Sequence, residues 1–266
     1  MSDAWFTEKL APDGAIEDGC HPDEAQALKD YYHKKTSAEE AAQAITLPIV
    51  ESEDPGAYLY RLWGLLKDAL VELPAPHIPA LIQLLGAIQK LPEPDLTGRR
   101  TENTPADGFL WRGLPGFGHM WGDEHKQDNW RRNLAASEPA NRADLQTQHV
   151  RKAGIEARLA VADVGGIPLD WGYECIADAL ERRDAVLDCE NFAAAEWIAI
   201  AGRRLYAGAV NGEESWALDR RRDFGKESKA MNLERWAFWE TRMKEFVQQF
   251  ETTGMWQRRL FGIWRP

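Results

Sequence analysis

Cysteine is scarce in this sequence, and its few residues follow no structural pattern. The chain of 266 residues has only Cys20, Cys175 and Cys189, with no C-x-x-C pair and no histidine at the spacing of a zinc finger. An odd number of cysteines at wide spacing does not build a disulfide framework. We therefore expect the fold to depend on a hydrophobic core, which a chain of this length is able to bury.

Long hydrophobic runs are absent as well. The best apolar stretch is interrupted by Arg61, Lys67, Asp68 and Glu72, and it does not approach the roughly 18 apolar residues of a membrane helix. Residues 1–14 have neither the basic region nor the apolar run of a secretory signal. These absences predict a cytosolic protein with no membrane partner.

Alternating β-branched segments are missing, whereas helical patterns cover most of the chain. Ser37 is followed three positions later by Glu40, which is the pattern of a capping box. From residue 59 to residue 70, apolar side chains recur at helical spacing. Helices are predicted over 22–34, 37–46, 55–73, 74–94, 124–135, 138–163, 171–183, 189–208 and 228–252.

The longest irregular connection is predicted over residues 92–118, which lose the helical period and are rich in Pro, Gly, Thr and Asp. A loop of this length is usually functional or disordered, and its tryptophan content favours an ordered one. The sequence thus predicts an all-α fold, a single multi-helix domain over residues 1–266. We expect an orthogonal bundle with one long Trp/Gly-rich loop and a loosely ordered segment at residues 1–20.

Motifs for cofactors and nucleophiles are lacking. The stretch GLPGFG follows no predicted strand and matches neither dinucleotide nor P-loop patterns. There is no G-x-S-x-G, and the spacing of His119 and His125 with Asp123 and Glu124 fits no sharp metal motif. Cys189 begins a predicted helix, where the dipole favours a thiolate. The sequence predicts no cofactor and no metal.

The charge is strongly negative, with a formal value of −11. That value excludes a protein whose whole surface binds nucleic acid, but it leaves room for a local basic patch. Arginine is more frequent than lysine and often occurs in pairs, such as Arg131–Arg132 and Arg203–Arg204. These arginines either form ion pairs on helix surfaces or contact a phosphate backbone.

Tryptophan is unusually abundant, with twelve residues, and three of them lie in FLWRGLPGFGHMWGDEHKQDNWRR, residues 109–132. Two interpretations are open for Trp111 and Trp121. They form an aromatic platform for a cation, with Asp123 or Glu124 as its counter-charge. Alternatively, they are core side chains that hold a long loop against the helices.

A second suspicious place is the predicted helix that contains Glu196. From Phe192 to Gly202 all residues except Glu196 are apolar or glycine. We therefore expect this helix to be buried on all sides and to enclose the Glu196 carboxylate. Glu196 then either forms a structural salt bridge, to Arg203 or to an arginine of another helix, or lies at the floor of a pocket. Glu190 and Asn191 are expected to share that pocket.

Three segments, LYRLWGLLKDALVELP, HIPALIQLLGAIQKLPEPD and WRGLPGFGHMWGDEH, resemble a large family of fungal proteins, mainly from ascomycetes. The resemblance extends over about residues 30–255, and LPGFGHMW is its most specific part. Some fungal proteins of similar size and of helical, tryptophan-rich character are arginine-containing cyclodipeptide synthases, which join arginine to a second amino acid from aminoacyl-tRNA. The resemblance implies such an aminoacyltransferase of secondary metabolism, with aminoacyl-tRNA and an arginine substrate as partners.

Within this hypothesis Glu196, Asp123 and His119 are the candidate catalytic residues, because a carboxylate or imidazole is able to accept the proton of the attacking amine. The candidate substrate-binding residues are Trp111, Arg112, Trp121, Glu124, Glu190 and Asn191. The alternative is a non-catalytic helical module whose Trp-rich loop docks a partner protein.

Overall fold

The structure is a computed structural model that describes residues 2–10, 19–125, 134, 136–219, 222–224 and 229–251. Within these residues it contains ten α-helices and no β-strand. The described residues form two isolated β-bridges, one between Leu10 and Cys20 and one between Glu214 and Ala230. The predicted all-α class is confirmed.

The helices follow one another along the chain. They are α1 Ser2–Glu8, α2 Pro22–Tyr32, α3 Ala38–Glu51, α4 Leu59–Glu72, α5 Ile78–Gln89, α6 Phe117–His125, α7 Pro139–Ala162, α8 Asp170–Glu181, α9 Leu187–Asn211 and α10 Leu233–Glu251. A long irregular segment joins α5 to α6. Single 3-10 turns occur at Pro55–Tyr58, Ala75–His77 and Trp216–Leu218. Among the described residues, no helix combines the length and the apolar composition that crossing a membrane requires.

Local sequence explains where α3 begins, and packing explains how far it continues. The Glu40 N–H donates to Ser37 Oγ at 3.2 Å, and the Ser37 N–H donates to Glu40 Oε2 at 2.8 Å. The predicted capping box is therefore present. The helix continues through Pro48, beyond its predicted end, because Ile45 and Ile49 are fully buried on the same face.

Two predicted segments differ from the structure. Residues 117 and 118 were expected to end the long loop, but they begin α6. The helix predicted over residues 124–135 is seen only at its start, since 126–133 and 135 lie outside the described residues. Part of the segment expected to be loosely ordered, residues 2–8, forms α1, in which Phe6 is buried. Residues 11–18 lie outside the described residues.

Contacts divide the chain into two compact units. Unit 1 consists of residues 1–127 and 162–166, and unit 2 consists of residues 128–161 and 167–266. The single domain proposed for residues 1–266 stays a prediction.

Unit 1 encloses an ion pair beside its aliphatic core. Glu24 is fully buried, and its carboxylate accepts two hydrogen bonds from Arg61, at 2.6 and 3.1 Å, and one from the His21 N–H at 3.0 Å. A bidentate pair of this kind satisfies a charge that burial would otherwise penalise. Burial, aided by the Glu24 charge, raises the pKa of the Cys20 thiol to about 11, so this cysteine is protonated at neutral pH.

Unit 2 is built on a helical hairpin of α8 and α9, which α10 covers. The ring of Trp197 packs so closely on Gly172 that a Cβ added there would lie 2.6 Å from it. At the end of α8, Glu181 accepts hydrogen bonds from Arg235 and from the indole of Trp239. All three side chains are buried, so a polar cluster lies inside the apolar core.

Candidate functional site

The irregular segment of unit 1 is organised around one carboxylate, Glu93. Its two oxygens accept the backbone N–H groups of three consecutive residues: Leu110 at 2.7 Å, Trp111 at 3.1 and 3.2 Å, and Arg112 at 2.8 Å. Successive N–H groups that converge in this way form an anion-binding nest. The protein's own carboxylate occupies this nest, which fixes the backbone at the point where Trp111 enters the core.

Replacing Glu93 with alanine is expected to lower the free energy of unfolding by about 2 to 3 kcal/mol, since the N–H groups lose a charged acceptor. Denaturant unfolding followed by circular dichroism measures the change. Glu102→Ala is the matched control, because this exposed carboxylate lies in the same loop; we expect it to change stability by less than about 0.5 kcal/mol. Equal effects of the two substitutions would refute a holding role for Glu93.

Trp111 and Trp121 are core residues, and Trp130 lies outside the described residues. Trp111 and Trp121 are 1% and 0% exposed. Trp121 stacks on Phe117 one turn earlier, with ring centroids 6.3 Å apart, and Phe117 meets the edge of Trp63 at 6.2 Å. The Trp63 indole also donates to the Pro115 carbonyl at 2.8 Å. The indoles therefore hold the loop against α4, and neither of the two predicted rings offers an exposed platform.

The polar candidates of unit 1 lie near the surface. His119 and Asp123 are exposed and are four residues apart, so they are neighbours on one face of α6. Arg112 is exposed, and its guanidinium lies 4.0 Å from the centroid of the Phe109 ring. Glu124 belongs to α6, but its side chain lies outside the described residues. No group of three or more potential metal ligands occurs in the described part of the chain.

In unit 2, the first turn of α9 contains Glu190 and Asn191, both almost fully buried. Glu190 accepts the Val186 N–H at 2.5 Å and so satisfies a donor at the start of its own helix. Burial is the largest cause that raises the pKa of the Cys175 thiol in α8, and the charges of Glu156 and then Glu190 raise it further. The Asn191 Oδ1 is buried without a hydrogen-bond partner.

Glu196 lies on another side of α9, where it faces α7. Its Oε2 and the Arg158 Nη1 lie 3.0 and 3.1 Å from the position that a Cβ on Gly154 would occupy. Glu196 is half-buried, so the expectation of an enclosed carboxylate is wrong. Arg203, a predicted partner, is exposed. Six residues separate Glu190 from Glu196, which places their side chains about 120° apart around the helix axis, and a pocket shared by the two acids stays a prediction.

Comparison with known proteins gives a family for this architecture. A family described as a protein of unknown function, DUF3632, matches residues 63–243, about two thirds of the chain. The chain belongs to this family. No curated protein and no solved structure matches it. The matched region begins at Trp63 in the core of unit 1 and ends at Met243 in the core of unit 2.

The predicted site residues of this DUF3632 protein fall in both units. Trp111, Arg112, His119, Trp121, Asp123 and Glu124 belong to unit 1, whereas Glu190, Asn191 and Glu196 belong to unit 2. Within unit 1 only His119 and Asp123 form an exposed pair. Within unit 2 only Glu196 combines a fixed position with access to solvent. A common site for all nine residues stays a prediction.

Several polar residues of the DUF3632 chain were missed. The Tyr173 hydroxyl is buried, and it and Glu213 Oε2 lie 2.1 and 2.8 Å from the position of a Cβ on Gly208. Burial, followed by the Glu213 charge, raises the pKa of Tyr173. A glycine inside a helix, such as Gly154 or Gly208, is the sequence feature that points to a close approach of this kind.

Several described arginines of the DUF3632 chain form ion pairs with carboxylates of the same protein. The pairs are Arg61–Glu24, Arg142–Asp188, Arg182–Asp184, Arg204–Glu213, Arg222–Asp178, Arg235–Glu181 and Arg242–Glu245. Of the arginines that are adjacent in the sequence, Arg182, Arg204 and Arg222 are among these, and the ion-pair interpretation is confirmed for them. Arg203 differs, because its exposed side chain takes part in no hydrogen bond or ion pair among the described residues.

Proposed function

We propose that this protein is an enzyme that makes an arginine-containing cyclic dipeptide from aminoacyl-tRNA, with Glu196 as its general base. The proposal takes the reaction from the likeness in size and in helical, tryptophan-rich character to some fungal proteins that are such synthases; residues 30–255 themselves resemble a wider fungal family. The observation that supports the choice of residue is the position of the Glu196 carboxylate in unit 2.

The position of Glu196 suits a base that has to meet a substrate. Its carboxylate packs at Gly154 of α7, where the missing side chain makes room for it and for the Arg158 guanidinium. Contact with α7 restricts its rotamers, and half-burial leaves part of the side chain accessible. Catalytic carboxylates need this combination, since proton transfer requires both a fixed donor–acceptor geometry and approach of the reacting group.

The reaction requires no oxidant and no metal in its balance. The α-amine of one aminoacyl group attacks the ester carbonyl of the other, a C–N bond forms and the ester C–O bond breaks. Glu196 takes the proton from the amine and returns it to the departing ribose oxygen. A second attack of the same kind closes the ring and releases the second tRNA.

The alternative function, an interaction module with a Trp-rich loop, receives no support from Trp111 and Trp121, and Trp130, the third tryptophan of that loop, lies outside the described residues. Trp111 and Trp121 are buried in unit 1 and are not available to a partner protein. A docking module requires such side chains at its surface, where a partner buries them on binding.

The deciding experiment is mass spectrometry of metabolites from a host that expresses the protein, its Glu196→Gln variant or its Glu138→Gln variant. We expect an arginine-bearing cyclic dipeptide with the wild type, none above background with Glu196→Gln, and an unchanged yield with Glu138→Gln, whose carboxylate is exposed at the start of α7. The melting temperature of Glu196→Gln should stay close to that of the wild type. Full yield from Glu196→Gln would eliminate Glu196 as the base, and absence of the product from the wild type would refute the synthase proposal.

A further inference from the structure

One face of α9 forms a continuous stripe from Glu196 toward the end of the helix. Positions 196, 199, 203, 206 and 210 are separated by alternating steps of three and four residues, which places them on one side. Ala199 and Arg203 are exposed, and Tyr206 and Val210 are 39% and 57% exposed. We call these five positions the α9 stripe. It begins at an acid, continues through a cation and ends in apolar surface.

The far end of the α9 stripe is joined by an aromatic side chain of α10. The rings of Tyr206 and Trp236 meet edge to face, with centroids 5.5 Å apart and an interplanar angle of 67°. Leu233, one turn before Trp236, is 50% exposed. Tyr206, Val210 and Leu233 are exposed and Trp236 is half-buried, so unit 2 has aromatic and aliphatic side chains at its surface, in contrast to the buried indoles of unit 1.

The middle of the α9 stripe holds an available guanidinium. Arg203 is exposed and takes part in no hydrogen bond or ion pair among the described residues. Its neighbour Arg204 behaves differently, because both of its Nη atoms bind Glu213, at 2.7 and 3.0 Å. An unengaged guanidinium beside aromatic rings is the combination with which proteins hold single-stranded nucleic acid, through phosphate contact and base stacking.

The acids near this surface are partly compensated. Glu213 is bound by Arg204, and Glu240, one turn after Trp236, is bound by Lys244 at 2.7 Å. Glu234 of α10 and Glu214, just after α9, are exposed acids as well. Arg204 and Lys244 therefore each neutralise one acid in this part of unit 2.

We propose that the α9 stripe, with Trp236, binds the single-stranded CCA end of aminoacyl-tRNA. Bases stack on Tyr206 and Trp236, Arg203 contacts a phosphate, and the aminoacyl ester extends toward Glu196. At a rise of about 1.5 Å per residue, Glu196 lies roughly 10 Å from Arg203 and roughly 15 Å from Tyr206 along the axis, a span suited to a few unpaired nucleotides. This inference rests on the proposed synthase function, since it gives the tRNA end a place beside Glu196.

The test measures binding of an RNA hairpin with a single-stranded CCA 3′ end, and of the same hairpin with a blunt end, by fluorescence anisotropy at several salt concentrations. We expect the wild type to prefer the CCA hairpin. Tyr206→Ala should weaken that binding about tenfold or more, because a stacking platform is lost. Arg203→Ala should weaken it and make the dependence of log K on log salt shallower by roughly 0.7, the value for one phosphate contact on a single strand.

Two substitutions serve as matched controls. Tyr206→Phe keeps the ring and should bind the CCA hairpin as the wild type does. Lys90→Ala removes an exposed cation of unit 1 and should leave both affinity and salt slope unchanged.

The inference is overturned if the wild type binds both hairpins equally, or if Tyr206→Ala and Arg203→Ala keep wild-type affinity. Its failure is distinguishable from failure of the synthase proposal. Binding of the CCA hairpin that depends on the stripe, in a protein that forms no cyclic dipeptide, would support the stripe and refute the synthase. Product formation by Tyr206→Ala and Arg203→Ala at wild-type yield and affinity would refute the stripe and leave the synthase.

Discussion

Trp121→Ala is expected to lower the free energy of unfolding by about 3 to 5 kcal/mol, a large part of the stability of an ordinary domain. The side chain is fully buried in α6, where it stacks on Phe117, and its removal leaves a void as well as lost apolar burial. Denaturant unfolding followed by circular dichroism measures the loss. Calorimetry of thermal unfolding tests whether the transition is two-state, because the calorimetric and van't Hoff enthalpies then agree.

Trp216→Ala provides the comparison, because that indole is 51% exposed in a 3-10 turn. We expect it to cost about 1 to 2 kcal/mol, clearly less than Trp121→Ala, since about half of its surface stays in water on folding. A Trp121→Ala variant that melted like the wild type and yet lost product formation would contradict the core assignment. It would return Trp121 to the role of a ligand platform.

The burial of Trp111 and Trp121 could not be predicted from the sequence. Composition identified twelve tryptophans, and the glycines around Trp111 and Trp121 indicated irregular backbone. Neither feature states whether a ring points inward. Burial of Trp111 depends on Glu93, which holds three N–H groups 17 to 19 residues away, and no local pattern encodes a contact of that kind.

Helices with strong local determinants were predicted well. Ser37 and Glu40 mark the start of α3 because a capping box is a contact within four residues. Phe117 begins α6 without such a box, and its helix was missed. Its stability comes from packing of Phe117 and Trp121 near Trp63, and tertiary contacts of this type override weak local propensity.

The error at Glu196 has a similar physical cause. Alanine and glycine count as apolar in a pattern, so the run from Phe192 to Gly202 appeared buried on all sides. These residues bury little surface, and one of them, Ala199, is exposed on the α9 stripe. A run rich in alanine and glycine therefore indicates a closely packed helix rather than an enclosed one.

The second large effect is expected at the buried cluster of unit 2. Glu181→Gln should lower the free energy of unfolding by about 3 to 5 kcal/mol, because it leaves the guanidinium of Arg235 buried without a counter-charge. In the wild type, Nε and Nη2 of Arg235 donate hydrogen bonds to Glu181 at 2.7 and 3.0 Å, and the Trp239 indole donates a third at 2.7 Å. Lys244→Ala is the control on α10, since it breaks the exposed pair with Glu240 and should cost less than about 1 kcal/mol.

A double-mutant cycle separates the pair from its surroundings. Arg235→Met alone should also be strongly destabilising, because the Glu181 carboxylate is then left buried without its partner. Glu181→Leu is measured alone and combined with Arg235→Met; the combined variant lacks both charges, so it should be more stable than the sum of the losses of Glu181→Leu and Arg235→Met predicts, by up to about 3 kcal/mol. Additive losses would show that each side chain is stabilised by other groups. In that case the contact between α8 and α10 at this cluster would depend on apolar packing around Trp239 and not on the ion pair.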